Sequence, residues 1–312
     1  MTAPHSRSTA PGRVTAAGRI VVVGDLITDV VAVLGGPLAT GSDTPATIRV
    51  TGGGQAANTA AWLAAQGVPV TMVGAVGDDD AGRDRVAELE RAGVDCAVER
   101  HVGRTTGTVI VLTGDGERTM VTERGANLRL GAGHVDAALA GALDVRHLHL
   151  SAYPLLDAGS RGAGLRALAA ARERGLTTSV DAASAAPLRR VGAAAFLAWV
   201  RDVDLLLVNA DEAAVLAGGL DPAAQARALT ATARRVVVKR GAAGAVWADR
   251  TATVSVAPTR RVAVADVTGA GDAFAAGLLS AWLAGAGPRA ALDRAGDLGA
   301  LAVSTIGARP TG

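Results

Sequence analysis

The sequence predicts an α/β protein: a mostly parallel central sheet, helices on both of its faces, and a small separate β-sheet. Three observations predict it. Short β-branched runs alternate with stretches of helical periodicity, which is the strand-helix rhythm of a parallel sheet covered on both sides. Glycines stand where the helices should stop, at Gly67, Gly93 and Gly175. Two strand-like regions, at about 28–50 and 105–122, break the rhythm because no helix separates their strands.

Taken in order, the buried strands are expected at 19–23, 70–73, 147–150, 177–180, 205–208 and 235–238. The helical patterns lie at 56–66, 81–92, 162–174, 191–201 and 222–233, and two more close the chain at about 270–286 and 289–303. Asp115-Gly116 inside the second strand-like region is a hairpin signal. Residues 1–18 are rich in Ala, Thr, Ser, Pro and Arg without an apolar stretch, and read as a disordered tail. The remainder, 19–310, reads as one domain from which the lid strands at 28–50 and 105–122 project.

Composition narrows the class of function. Of 312 residues, 49% are hydrophobic and 19% charged, so the chain has material for a large core. Aromatic residues make up 2% and the net charge is +2, which argues against nucleic acid as a partner. No apolar run reaches the ~18 residues of a membrane span. With a single cysteine, Cys96, there is neither an internal disulfide nor a cysteine metal site, and the expectation is a cytoplasmic protein. His147 and His149 share a strand face but lack a third ligand, so packed histidines are the simpler reading.

The sharpest motif is Asp266-Val267-Thr268-Gly269-Ala270-Gly271-Asp272, a strand end followed by a Gly-Ala-Gly turn and an apolar helix. Unpaired amides at the start of a helix, with the helix dipole behind them, make a site for an anion. Asp272 among them is either an ordinary first-turn acid or a base that takes a hydroxyl proton beside a phosphate. No G-x-x-x-x-G-K-[ST] and no G-x-G-x-x-G follows the first strand, so neither a P-loop enzyme nor a dinucleotide dehydrogenase is indicated.

Asp266-x-Thr-Gly-Ala-Gly-Asp272 resembles the C-terminal signature of the ribokinase (PfkB) family of carbohydrate and nucleoside kinases. Gly52-Gly53-Gly54-Gln55-Ala56-Ala57-Asn58 with Gly74 to Gly82 resembles its N-terminal signature, and Asn209-Ala210-Asp211-Glu212 its Asn-x-x-Glu motif. Lys239-Arg240-Gly241-Ala242-Ala243-Gly244 is similar to its nucleotide loop, and Gly24 to Asp29 to its first substrate turn. The order is the family's own, and the likeness spans about 19–310.

The resemblance implies a ribokinase-like three-layer fold with a β lid and an ATP-dependent kinase for a sugar or sugar-like polyol. It implies Asp272 as the general base, with the amides of Gly269, Ala270, Gly271 and Asp272 holding the transferred phosphoryl group. Asp29, Gly53, Gly54 and Asn58 would bind the substrate. Asn209, Lys239, Arg240, Gly241, Gly244 and Thr268 would bind ATP. Glu212 would meet Mg²⁺ through water, and Asp266 a monovalent cation such as K⁺. The exposed lid edge suggests a homodimer. Against this stand a nucleoside kinase of the same fold and a non-catalytic sugar- or nucleotide-binding regulator. Ile27, where sugar kinases of the family often carry Asn, counts against ribose itself, and Arg124-Gly125-Ala126-Asn127 resembles the lid-to-body stretch of ribokinases.

Overall fold

The structure is a computed structural model that describes residues 18–114, 117–219, 221–258, 260 and 262–310. Residues 1–17 of the expected tail and the Asp115-Gly116 pair lie outside the described residues.

Thirteen strands are described: β1 Arg19–Val23, β2 Ile27–Leu34, β3 Ala46–Gly53, β4 Val70–Gly77, β5 Asp95–His101, β6 Gly107–Gly114, β7 Glu117–Glu123, β8 Val145–Ser151, β9 Thr177–Asp181, β10 Leu205–Asn209, β11 Arg235–Lys239, β12 Ala245–Asp249 and β13 Thr253–Val256. Nine form one sheet in the order β13-β12-β11-β10-β9-β8-β1-β4-β5. From β11 to β5 every pairing is parallel, whereas β12 and β13 run antiparallel at the edge.

The central strands are apolar on both faces because both are covered. Val21, Val23, Leu148, Leu150, Val180, Val208 and Val238 pack with helices Ala132–Gly141, Arg161–Glu173 and Ala210–Ala217 on one side. Ile20, Val22, Leu205, Leu207 and Val237 pack on the other with helices Gln55–Ala65, Asp80–Arg91, Ala270–Leu283 and Pro288–Val303. Such a sheet places the ends of its parallel strands, with the turns that follow, along one rim.

The second sheet has four strands in the order β3-β2-β6-β7, with β2 and β6 parallel and the two outer pairings antiparallel. Its own apolar cluster is small, consisting of Ile27, Val109 and Val111 with Val31 against it. Ile27 thus belongs to the lid's packing. Asp79 joins lid to body: its carboxylate caps helix Asp80–Arg91 through Gly82 N at 2.8 Å and also accepts from Thr106 N at 2.8 Å, just before β6. Asp79 rather than Asp80 does this work because its extended backbone aims the side chain at both amides.

Two local differences have a backbone cause. The single helix expected over 191–201 is two short helices, Ala185–Val191 and Ala193–Trp199, that meet at Gly192 with φ 84°. A left-handed residue breaks the helix there. The β12–β13 edge follows from the tight Gly241–Ala243 turn, too short for a helical crossover, which folds the chain back antiparallel.

Candidate active site

The carboxyl ends of five parallel strands carry the polar residues of the site. Asp25 follows β1, Ser151 ends β8, Asp181 ends β9, Asn209 ends β10 and Lys239 ends β11. Open α/β sheets bind ligands at this rim because the turns there are free to diverge from the scaffold. The side chains are linked. Lys239 Nζ donates to Asp181 Oδ2 at 2.5 Å, Gln55 Nε2 donates to Asp181 Oδ1 at 3.0 Å, and Ser151 Oγ donates to Gln55 Oε1 at 2.6 Å. Asp25 faces Arg124 at 3.7 Å, and the Arg124 guanidinium lies 4.2 Å above the centre of the Tyr153 ring.

The glycine triplet crosses from the lid to helix Gln55–Ala65, and each glycine leaves room for a different neighbour. A Cβ at Gly52 would lie 2.2 Å from Arg309 Nη1, and one at Gly53 2.2 Å from Asp29 Oδ2. Gly54 has φ 101°, and a Cβ there would lie 2.4 Å from the Asp25 carbonyl oxygen. Asp29 and Asn58 are therefore brought close to one stretch of bare backbone. Both side chains are buried.

Helix Ala270–Leu283 starts at Gly269, which has φ 75° and packs so tightly on Ala308 that a side chain would not fit. Asp272 N donates to Gly269 O at 3.0 Å, and Ala270 N makes a long 3.4 Å bond to Val267 O. That leaves the N–H groups of Gly269 and Gly271 with no backbone partner among the described residues. The Asp272 amide, expected in the anion cradle, is thus engaged inside its own turn. Its side chain accepts from Asn58 Nδ2 at 2.9 Å, which joins the triplet helix to the Gly-Ala-Gly turn across 214 residues of sequence. Burial pushes the Asp272 carboxyl up to about 8, aided by Asp181 and Asp25 and opposed by the Asn58 bond and Lys239. Lys239 Nζ lies 3.6 Å from where a Gly271 Cβ would be, so its charge sits directly behind the turn. Burial works against that charge, but Asp181, Glu212 and Asp272 outweigh it and hold the ammonium above its usual range.

Asn209 and Glu212 form a complete capping box: Glu212 N donates to Asn209 Oδ1 at 2.9 Å, and Asn209 N and Nδ2 donate to the two Glu212 oxygens at 2.7 Å. The pair thus caps the start of helix Ala210–Ala217 from both sides. Burial pushes the Glu212 carboxyl up to about 7, with Lys239 pulling it back.

Residues 17–311 match the pfkB family carbohydrate kinase. The chain belongs to that family. It is 34% identical over 284 residues to an ATP-dependent ribose-1-phosphate kinase from Halopiger xanaduensis, covering 88% of this chain and 87% of the relative. It is 30% identical to a 2-dehydro-3-deoxygluconokinase from Thermoproteus tenax, covering 77% and 76%. A solved ribokinase-type structure from E. coli, a putative Ribokinase II with ATP and Mg²⁺, superposes with a TM-score of 0.83 at 24% identity, over 94% of each chain. The pfkB chain is thus an ATP-dependent carbohydrate kinase with the ribokinase-like fold.

Within this pfkB fold the remaining expected residues separate into two groups. Arg240, Gly241 and Gly244 form the turn between β11 and β12, closed by Arg240 N donating to Gly244 O at 2.8 Å. Asp266 accepts from Thr268 N at 2.8 Å and from Gly307 N at 3.1 Å, so it braces the Gly-Ala-Gly turn against the C-terminal segment. Among the described residues no group of three or more His, Cys, Asp or Glu side chains is arranged to hold a metal. His147 and His149 are buried on Ser179 Oγ, each at 2.7 Å, and burial keeps both rings neutral.

Several residues of the site were not among those singled out for it. Gln55 was read only as a spacer in the glycine motif, and Arg309 not at all. Asp181-Ala182-Ala183-Ser184 stands where some members of the family bind sugar through Asp, and here Asp181 holds Lys239 and Gln55. Its position at a strand end was the available signal. Arg309 carries no local signal, since its partners lie more than 200 residues away.

Proposed function

We propose that this chain transfers the γ-phosphoryl group of ATP to a hydroxyl of a small sugar or sugar-like polyol, with Asp272 as the general base. The observation that carries the reading is the Asn58–Asp272 bond: it places a carboxyl at the start of an open-amide helix turn and beside the glycine stretch that bears Asp29. A base so placed meets a hydroxyl lying over Gly53 and Gly54, while the turn faces the phosphoryl group. A carboxyl near 8 is poised to accept a proton near neutral pH, so turnover should climb as pH is raised from 6 through 8.

The N–H groups of Gly269 and Gly271 would hold the charge on the transferred phosphoryl, with the Lys239 ammonium behind them. Arg240, Gly241, Gly244, Thr268 and Asn209 would line the nucleotide. Mg²⁺ would enter this site with the nucleotide, since phosphate oxygens and water supply most of its ligands, and Glu212 would meet it through water. It would neutralise phosphate charge. A monovalent cation at Asp266 would tighten the same brace.

The nucleoside alternative loses support in the geometry. The Tyr153 ring is already covered by Arg124, and the tryptophans pack elsewhere: Trp62 on Ala308, Trp247 on Asp249, Trp199 under Arg161 and Trp282 on His147. No aromatic slot for a base remains among these residues. On the lid, Val50, Val30, Ile110 and Val121 stand opposite one another across all four strands, with Ile48 in the next row. Val50, Ile110, Val121 and Ile48 are 61%, 43%, 58% and 64% exposed, and we assign this outer face to a second copy of the chain.

The test is ADP release from ATP and Mg²⁺ across sugars, sugar acids, sugar phosphates including ribose 1-phosphate, and nucleosides, in K⁺ and in Na⁺. Asp272→Asn runs as the blank. Turnover that depends on one sugar class and vanishes in the blank supports the reading. Turnover surviving in Asp272→Asn sinks the base, and a response to nucleosides alone replaces the acceptor class.

A further inference from the structure

Arg309 belongs to none of the motifs, yet it reaches into the centre of the site. The segment that delivers it follows helix Pro288–Val303 and is pinned twice: Trp62 Nε1 donates to Ala308 O at 3.0 Å, and Gly307 N donates to Asp266 Oδ2 at 3.1 Å. From there the guanidinium makes three contacts. Nε donates to Asn58 Oδ1 at 3.1 Å, Nη2 donates to Gly53 O at 3.1 Å, and Nη1 donates to Glu88 Oε2 at 3.3 Å. The bare backbone at Gly52 gives it room.

The chemistry of the middle residue makes these contacts directional. An asparagine amide has one accepting end and one donating end, whereas a guanidinium can only donate. With Arg309 on one side, the Asn58 oxygen is fixed and the Asn58 NH₂ must face Asp272. Without it the amide is free to turn over, and its oxygen would then accept a proton held by Asp272 and so favour the neutral acid.

We propose that Arg309 is a positioning residue: it fixes the Asn58 amide so that Asn58 donates to Asp272, and through Gly53 O it ties that amide to the acceptor turn. The inference rests on the reading of Asp272 as the base. The groups facing Asp272 besides Asn58 include Asp181, Lys239, Asp25 and Tyr153. Around Arg309 stand Glu88, Arg85, Asp29 and Cys96. A direct charge effect of Arg309 on Asp272 would act through space and would not need Asn58.

The experiment is a titration of the full chain labelled with ¹³C at aspartate carboxyls, the Asp272 resonance being the one missing from Asp272→Asn. Wild type, Arg309→Met, Asn58→Ala and the double variant are compared. Arg309→Met should raise the Asp272 midpoint by about half a pH unit or more, and the double variant should match Asn58→Ala alone. An unmoved midpoint in Arg309→Met overturns the proposal, as does the same added shift on the Asn58→Ala background. If Arg309→Met fails to fold because Glu88 is left without its partner, Glu88→Gln/Arg309→Met against Glu88→Gln carries the same comparison. The titration needs no acceptor. Turnover surviving in Asp272→Asn would therefore overturn the base while leaving the Arg309 result to stand or fall separately.

Discussion

The sheet body and the lid are made from the same β-branched alphabet but solve opposite problems. In the body, strands such as β1, β4 and β10 are buried almost end to end, and two large apolar clusters hold them from either face. In the lid, β3 is exposed over its first five residues and the shared cluster has only three buried members. The body supplies its own stability. The lid leaves its outer face exposed and carries Asp29, the proposed acceptor residue. The proposed catalytic groups thus sit on the part with the large cores, and a part with so small a core is the one expected to open and close over them.

The largest expected effect separates chemistry from stability at a single body residue. Asp272→Asn should lower turnover by about 10³-fold or more. Its effect on stability should be the reverse. The Asp272 carboxyl ordinarily titrates near 3.8 and is pushed up to about 8 in the fold. Between those values the folded state holds a proton that the unfolded state has lost, so stability falls as pH rises from about 4 through 8. Asp272→Asn should therefore melt higher than wild type at pH 8, and the gap should shrink toward pH 4. A lower melting temperature at pH 8 would show that the site is not strained by this acid.

Truncating the two cores sharpens the contrast further. Leu148→Ala, in the large body cluster, should cost about 2–5 kcal/mol by denaturant unfolding. Val111→Ala removes less side chain from a three-residue cluster and should cost about 1 kcal/mol or less in global unfolding. It should instead raise the acceptor KM, because the open lid is favoured. Equal losses of stability would mean that lid and body unfold as one unit.

A smaller effect tests the outer lid face. Val50→Asp or Ile110→Asp should convert dimer to monomer by light scattering, with little change in the melting temperature measured at low protein concentration. An unchanged mass would leave the exposed row to some other partner and remove the second copy from the account.

The legibility of the sequence follows the same division. The body strands were readable because a strand buried on both faces must be a continuous apolar run, and 19–23, 205–208 and 235–238 stand within or at the observed bounds. The lid was readable as two strand regions without helices, but nothing local told that β2 would pair parallel to β6, since pairing depends on partners far along the chain. Strand Asp95–His101 shows only near Cys96, because charged residues interrupt its apolar pattern, and helix Ala210–Ala217 shows only through the Asn209 and Glu212 that start it.

What the sequence determined by itself was local. Hydrophobic periodicity set the layers, and Gly-Ala-Gly at a helix start set a turn with open amides, because each depends on neighbours within a few residues. Tertiary structure alone decided which polar groups would meet. Asn58 and Asp272, Asp181 and Lys239, and Arg309 and Gly53 are separated by 214, 58 and 256 positions. Their hydrogen bonds exist only because the parallel sheet brings its strand ends to one rim and the C-terminal segment folds back across it.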